Sequence, residues 1–256
     1  MTERARAVRQ YFDAVASSYA ARYGDPGPAG HALTIRWRRL FELLGDTTGP
    51  ALDAGCGPGL LIAALRERGM SAVGVDLSPG MAAEAARSGP IVLGALDQLP
   101  FVDRSFRLVV AMGAVEYVGD DRRALAEFVR VLRPGGVLLV SFPNRLSPYR
   151  LWKNAVFYPV VDRLRPLASW LRGRPLAPGV TAYHHHYTDR AVRAALEQLG
   201  CVVEDVVFVN MQLLPSPLDE WLPWLSVAIS RRLERFGRGF AGRLGTAFLA
   251  RAVRWR

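Results

Sequence analysis

From about residue 50 the sequence repeats one pattern: a short, almost wholly apolar run, a turn, then a stretch with helical periodicity. The apolar runs are Ala51 to Ala54, Ala72 to Asp76, Ile91 to Gly94, Leu108 to Met112 and Val137 to Phe142. The helical stretches are Leu60 to Arg68, Gly80 to Arg87 and Asp121 to Leu132, and Arg133-Pro134-Gly135-Gly136 cannot prolong the last of them. Strands apolar on both faces are buried on both faces, and alternation with helices makes their connections parallel crossovers. The pattern predicts an α/β fold with a doubly wound sheet and helices on both sides.

After Asn144 the alternation stops. A stretch rich in Trp, Pro and Arg runs to about Ala182. A helix follows, with Thr188 as N-cap, Val192, Ala195, Leu196 and Leu199 on its apolar face and Gly200 past its end. Cys201 to Val209 reads as a sixth strand, Asn210 to Gly242 as a second irregular segment, and Gly245 to Val253 as a last strand. The expected organisation is therefore a single domain over 1–256, with a helical lid at 1–45 and insertions at 145–182 and 210–242. Both insertions follow strands of the parallel set, which brings them out at one sheet edge on the acceptor side.

A chain of 256 residues, 50% hydrophobic and 22% charged, can bury a sizeable core without metals or disulfides. Its two cysteines, Cys56 and Cys201, supply neither a disulfide framework nor a zinc cluster, so no metal is expected and the compartment reads as reducing. The longest apolar run, Leu108 to Val115, has eight residues, where a spanning helix needs about 20. The first residues, MTERARAVRQYFDAV, carry charges where a secretory signal is apolar. A cytoplasmic location is the expectation. The net charge of +10 is regional: 16 basic against 15 acidic residues up to Asn144, 17 against 8 beyond it.

The chemistry-bearing motif, Leu52-Asp53-Ala54-Gly55-Cys56-Gly57-Pro58-Gly59, lies between the first strand and a helix, at the strand ends where open α/β sheets bind ligands. A dinucleotide fingerprint would read GxGxxG, but the glycines fall at 55, 57 and 59 and Leu60 follows. Asp53 would repel a pyrophosphate and suits a cationic amine. Asp76, ending the second strand, is placed to accept the hydroxyls of a ribose. An amine, a nucleoside and no phosphate together describe S-adenosylmethionine.

On these residues the sequence resembles the class I S-adenosylmethionine-dependent methyltransferases, in their small-molecule, type 11-like branch. Asp53 to Gly59 is similar to the family's glycine-rich motif, and Gly74-Val75-Asp76-Leu77-Ser78 to its acidic second-strand motif. GALDQLPF (94–101) resembles the adenine-side segment and MGAVEYVGD (112–120) the segment after the fourth strand. The resemblance covers about residues 8 to 144, and the part after Tyr187 more loosely. It implies a Rossmann-like, seven-stranded, mostly parallel sheet, S-adenosyl-L-methionine as cofactor, and cofactor contacts at Asp53, Gly55, Cys56, Gly57, Gly59, Asp76, Leu77, Asp97, Met112 and Tyr19. The chain departs from the family at Ala95, where an acidic residue is usual, which moves adenine recognition to Asp97 or to backbone near Leu96. Arg107 stands where Asp is usual, and Tyr117 where many members have His.

Methyl transfer from a sulfonium is an in-line displacement that can run on alignment alone, with a base helping when the acceptor is a hydroxyl. The candidate bases are His186 and His184 of the His184-His185-His186 cluster, and Tyr117. Three consecutive His on a strand alternate faces and do not chelate one metal. Cys56 reads as a packing residue, since no base neighbours it in sequence. Tyr11, Phe12 and Tyr19 resemble the aromatic lid that family members fold over the cofactor, with packing against the sheet as the alternative.

The insertions hold Trp152, Trp170, Trp221 and Trp224. In the second, Leu222, Leu225, Ile229, Leu233 and Phe236 recur at helical spacing, with Arg231, Arg232, Arg235 and Arg238 mostly off that stripe. Three readings stay open for it: core packing, a roof over an apolar acceptor pocket, and peripheral contact with an anionic membrane. The expected activity is methylation of a small, largely apolar acceptor, at oxygen, such as a natural product, quinone or lipid-like molecule. The alternatives are a cofactor-binding regulatory or interaction protein and a nucleic-acid methyltransferase. Nucleic acid is disfavoured as partner because no recognised binding module is present.

Overall fold

The computed structural model describes residues 2–164 and 185–255. His184 and Trp170 therefore lie outside the described residues. The strands are β1 (Ala51–Ala54), β2 (Ala72–Asp76), β3 (Ile91–Leu93), β4 (Phe106–Ala111), β5 (Leu132–Pro143), β6 (Cys201–Val209) and β7 (Ala247–Arg254). They form one seven-stranded sheet in the order β3-β2-β1-β4-β5-β7-β6. Neighbours from β3 to β5 pair in parallel, whereas β7 runs antiparallel to both β5 and β6. This is the expected doubly wound α/β sheet, with one reversed strand.

The apolar runs become strands because each has somewhere to bury both faces. Leu52, Val109, Leu138 and Phe248 meet Leu125 and Phe128 of α5 (Asp121–Val131) and Val192 and Leu196 of α7 (Asp189–Gln198). On the opposite face, Ala51, Leu108, Leu139 and Leu249 meet Ile35, Leu40 and Leu43 of α2 (Pro28–Leu44) and Leu61, Ile62 and Leu65 of α3 (Leu60–Glu67). Phe128 is wholly buried, and truncating such a residue to Ala costs about 3–5 kcal/mol. Thr188 caps α7 as expected, accepting from the Ala191 N–H at 3.2 Å.

Two boundaries differ from the sequence reading. β4 and β5 begin earlier than expected, because Phe106 pairs with Leu132 and pairing resumes at Leu108 with Val137, leaving Arg133 to Gly136 as a bulge inside the span of β5. In the N-terminal segment only α1 (Glu3–Tyr19) crosses above the strand ends, since α2 lies on the sheet as a covering helix.

α1 is fastened at both ends. Asp13 accepts from Ser78 Oγ at 2.5 Å and from the Gly80 N–H at 3.0 Å, at the start of α4 (Pro79–Ala85). Arg4 donates to the carbonyls of Tyr117 and Glu116 at 3.3 and 3.0 Å, and its Nη1 lies 2.7 Å from His185 Nε2. The segment after β5 enters α6 (Pro148–Trp152) and continues in helical turns to 164. The segment after β6 forms α8 (Leu218–Trp221) and α9 (Pro223–Leu233) rather than an irregular loop.

Candidate functional site

The chain leaves β1 through the glycine loop at the floor of a cleft of about 480 Å³, within the usual range for small-molecule sites. Asp53 stands one residue before the end of β1 and is only 3% exposed. Burial, reinforced by neighbouring Asp76, pushes its carboxyl up to about 8, so a cation in the cleft would draw it into the charged form. Asp76 ends β2. Its Oδ2 accepts from the Gly57 N–H and its Oδ1 from the Ser78 N–H, each at 2.9 Å, and burial raises its pKa above the carboxylate norm. Each oxygen keeps a second lone pair for another donor.

Two glycines of the loop, Gly57 and Gly59, do different work. Gly57 has φ 51° and a Cβ there would meet nothing within 4 Å, so its backbone is open towards the cleft it lines. Gly59 has φ 79° and a Cβ there would come within 2.8 Å of the Ala85 backbone. Gly59 thus caps α3 and lets α3 and α4 approach, and it is not among the residues lining the cleft.

Of the other residues singled out in the sequence, Gly55, Cys56, Leu77, Asp97, Met112 and Tyr19 line the cleft with Asp53, Gly57 and Asp76. Ala95 and Leu96 border it beside Asp97. From α1, Phe12 and Tyr19 face inward, and Phe12 meets Tyr117 edge-on at 5.1 Å between ring centroids. Tyr11 packs against Phe12 but does not line the cleft. Cys56 is buried and its thiol is pushed far above its ordinary pKa by burial, then by Asp53 and Asp76, which suits packing and not nucleophilic chemistry.

A sulfonium nucleoside bearing an amino acid tail needs carboxylate and backbone partners for its amine and ribose, and no cation for a phosphate. The donor set fits: the buried Asp53 and the half-buried Asp76 at the ends of β1 and β2, and no basic residue in the glycine loop. A family of methyltransferase domains matches residues 52–140. A malonyl-[acyl-carrier protein] O-methyltransferase of Serratia marcescens is 31% identical over 176 residues, 67% of this chain and 68% of the relative. This chain belongs to the class I S-adenosylmethionine-dependent methyltransferases.

A demethylmenaquinone methyltransferase of Beutenbergia cavernae is 32% identical over 169 residues, 64% of this chain and 67% of the relative. Among solved structures, an S-adenosylmethionine-dependent methyltransferase of Thermotoga maritima superposes with a TM-score of 0.64 at 19% identity, covering 96% of this chain and 99% of that one. That likeness shows the shared fold. The methyltransferase accordingly uses S-adenosyl-L-methionine as its methyl donor.

A smaller chamber of about 170 Å³ opens beside the cleft and shares Tyr19, Tyr23, Trp37, Met112, Gly113 and Tyr117 with it. Its remaining walls include Arg36, Glu116 and Arg150. None of these three was singled out in the sequence. Glu116 had a signal, as the one acid inside the apolar stretch MGAVEYV. Arg36 and Arg150 had none, because they arrive from α2 and α6, remote in sequence from the glycine motifs.

His186 lines neither cavity. Its Nε2 sits 3.4 Å from Arg150 Nη1, and burial, then Arg150 and Arg145, lower its pKa. Tyr117 lines both cavities, and burial followed by Glu116 raises its pKa well above the phenol norm.

On α9 the buried face is Ser226, Val227 and Ser230, so the expected stripe lies along its flank. Leu225, Ile229 and Leu233 are half-buried, while Leu222 and Phe236 are exposed. Of the C-terminal arginines, Arg238 pairs with Asp205, Arg243 with Asp189 and Arg251 with Glu204, whereas Arg231, Arg232 and Arg235 are exposed. Arg254 donates to the carbonyls of Val129 and Leu132. Among the described residues no helix is long and apolar enough to cross a membrane, and no group of His, Cys, Asp and Glu could hold a metal ion.

Proposed function

We propose that this methyltransferase acts on a small, largely apolar acceptor, at oxygen, in the space between α1 and the ends of β4 and β5. The observation that carries the reading is the aromatic wall of Phe12, Tyr19, Tyr23, Trp37 and Tyr117, which meets the glycine-loop cleft and continues into the side chamber. Apolar walls with few polar groups recognise small molecules. The relatives support methyl transfer to such acceptors: one is a malonyl-[acyl-carrier protein] O-methyltransferase and one a demethylmenaquinone methyltransferase.

In this reading Asp53 holds the cofactor's ammonium, Asp76 its ribose hydroxyls, and Leu77 and Asp97 flank the adenine. Bound S-adenosylmethionine supplies an electrophilic methyl on a sulfonium leaving group. α1, tied down through Asp13 and Arg4, keeps water out of the space above the loop. Tyr117 stays protonated near neutral pH, so it positions an acceptor by donating a hydrogen bond and does not remove its proton. Alignment in a water-poor site supplies most of the rate.

Transfer of radiolabelled methyl into a cell extract, fractionated into lipid, small-molecule, protein and RNA pools, tests the reading. Label in the small-molecule or lipid pool is expected, and label confined to RNA or protein overturns it. A second reading, peripheral contact with an anionic bilayer, rests on Trp221 and Trp224, 72% and 69% exposed beside exposed Leu218 and Leu222. Co-sedimentation with anionic but not neutral vesicles is its expected result, and negligible pelleting with both removes it.

A further inference from the structure

The side chamber holds more positive charge than the fold requires. Arg36 spends only its Nε, on the Ala32 carbonyl at 3.3 Å, and its terminal nitrogens make no hydrogen bond with any described residue. Its Nη1 stands 3.3 Å from where a Cβ on Gly113 would lie, and the Oε1 of Glu116 stands 3.8 Å from the same point. Both groups therefore converge on the wall shared with the cofactor cleft. Arg150 reaches the chamber from the other side, with Nε donating to the Thr246 carbonyl at 2.6 Å and Nη1 beside His186, which leaves Nη2 uncommitted among the described residues.

Between them lies Glu116, 6% exposed, whose Oε2 is buried without a hydrogen-bond partner. Two guanidiniums against one carboxylate leave the chamber positive whether or not Glu116 is ionised. Burial raises the pKa of Glu116 while Arg36 and Arg150 oppose the shift, and burial lowers that of Arg150. An added anion would offset the cost of keeping Arg150 charged, whereas Glu116 as a carboxylate would oppose it. Leu33, Phe142 and Ala247 supply apolar wall for a short hydrocarbon stem.

We propose that this chamber binds a carboxylate of the methyl acceptor, gripped by Arg36 and Arg150, so that the acceptor is an amphiphilic acid and not a wholly neutral apolar molecule. The proposal rests on the reading of the large cleft as the donor site. The carboxylate is a handle and not the methylated atom. Its lone pairs are taken up by forked guanidinium bonds, and the chamber has no share in the glycine loop, Asp53 or Asp76. The reacting oxygen then lies on the shared wall near Tyr117 and Met112, and fixing the far end of the molecule aligns it.

The test is titration calorimetry on the full chain saturated with S-adenosylhomocysteine, using phenylpropanoate, phenylpropanol and phenylpropylammonium as probes. The carboxylate is expected to bind at least about tenfold more tightly than the alcohol, and the ammonium not at all. Arg36→Gln and, independently, Arg150→Gln should erase that preference while the affinity for S-adenosylhomocysteine stays within about threefold of the parent. Glu116→Gln, which removes a like charge at nearly constant shape, should tighten the carboxylate, a change that loss of a purely structural residue would not produce. Equal binding of acid and alcohol by the parent chain, or a preference that survives in Arg36→Gln, overturns the proposal while leaving the cofactor site intact. Failure of the parent chain to bind S-adenosylhomocysteine overturns the donor-site reading itself, and the proposal with it.

Discussion

The large cleft and the side chamber meet at Tyr117 and carry opposite chemistry. The cleft is floored by acids, Asp53 and Asp76, which burial holds towards their neutral forms. The chamber is walled by arginines around one buried glutamate. Both environments are costly without a partner, because a buried charge lacks the solvation it would have in water. The difference teaches where each end of a reacting pair is placed: a cation where carboxylates wait, an anion where guanidiniums do. It also separates two sources of recognition, since the acids sit at strand ends in a motif while the arginines are gathered from helices.

The largest expected effect breaks the acidic side. Asp76→Ala removes the proposed acceptor for the ribose hydroxyls, and charged hydrogen bonds contribute about 1.5–3 kcal/mol each. Affinity for S-adenosylhomocysteine by calorimetry should fall by about a hundredfold or more. Loss of less than about threefold would place the ribose elsewhere.

Next comes the pH dependence of the same wall. With Asp53 pushed up to about 8, a cofactor ammonium held there as proposed would ionise it at neutral pH and release a proton. Affinity for S-adenosylmethionine should therefore fall about twentyfold from pH 7.5 to pH 6, and Asp53→Asn should flatten the profile while weakening binding. The ligand-free protein follows the same linkage. Asp53, Asp76, Glu116 and Glu234 all have folded-state pKa values raised by burial, so the folded state binds more protons than the unfolded one above the unfolded values. Stability is then greatest near the unfolded pKa of about 4 and declines as pH rises through the folded values. Thermal unfolding of parent and Asp53→Asn from acidic to mildly basic pH checks the sign, with the variant losing less.

A smaller effect concerns the helix above both cavities. Asp13→Ala deletes two hydrogen bonds from α1 to Ser78 and Gly80, at about 1 kcal/mol each for an accessible site. It should speed cofactor dissociation several-fold in stopped-flow measurements while leaving the folded structure in place. An unchanged rate would show that α1 does not restrain exit.

The smallest effect is a control on charge away from either cavity. Arg238 and Asp205 form an exposed pair, and such pairs contribute about 0–1 kcal/mol. Arg238→Ala should move the melting temperature by no more than about 4 °C. It should also leave probe and cofactor affinities untouched, which sharpens the contrast with Arg36.

How legible each region was in the sequence follows from how local its determinants are. Ala51–Ala54, Ala72–Asp76 and Cys201–Val209 are strands at the residues expected, because each is a short β-rich run with a turn at its end. The early starts of β4 and β5 were hidden, since pairing Phe106 with Leu132 depends on a neighbouring strand and not on the polar Arg-Pro-Gly-Gly sequence itself. Asp53, Gly57 and Asp76 could be read because a glycine loop at a strand end fixes their neighbourhood locally. Arg36, Trp37 and Arg150 could not, since only tertiary packing of α2 and α6 brings them to the end of β4. Gly59 matched the motif yet serves helix packing, which spacing alone does not distinguish from ligand contact.

β7 is the last strand in chain order, yet it occupies the place between β5 and β6. During vectorial synthesis, β5 therefore presents an unpaired edge, and β6 has no partner on the side it will use, until residue 254 has emerged. The five parallel strands and the glycine loop can assemble early, whereas β6 and the helices that follow it must wait for a hairpin to swing back into the gap. Long-range pairing of this kind is slow and leaves strand edges open to wrong partners. Completion of the sheet beside β5 is thereby deferred until β7 has emerged, and a nascent chain halted before it would lack Thr246 and Ala247 from the wall of the side chamber.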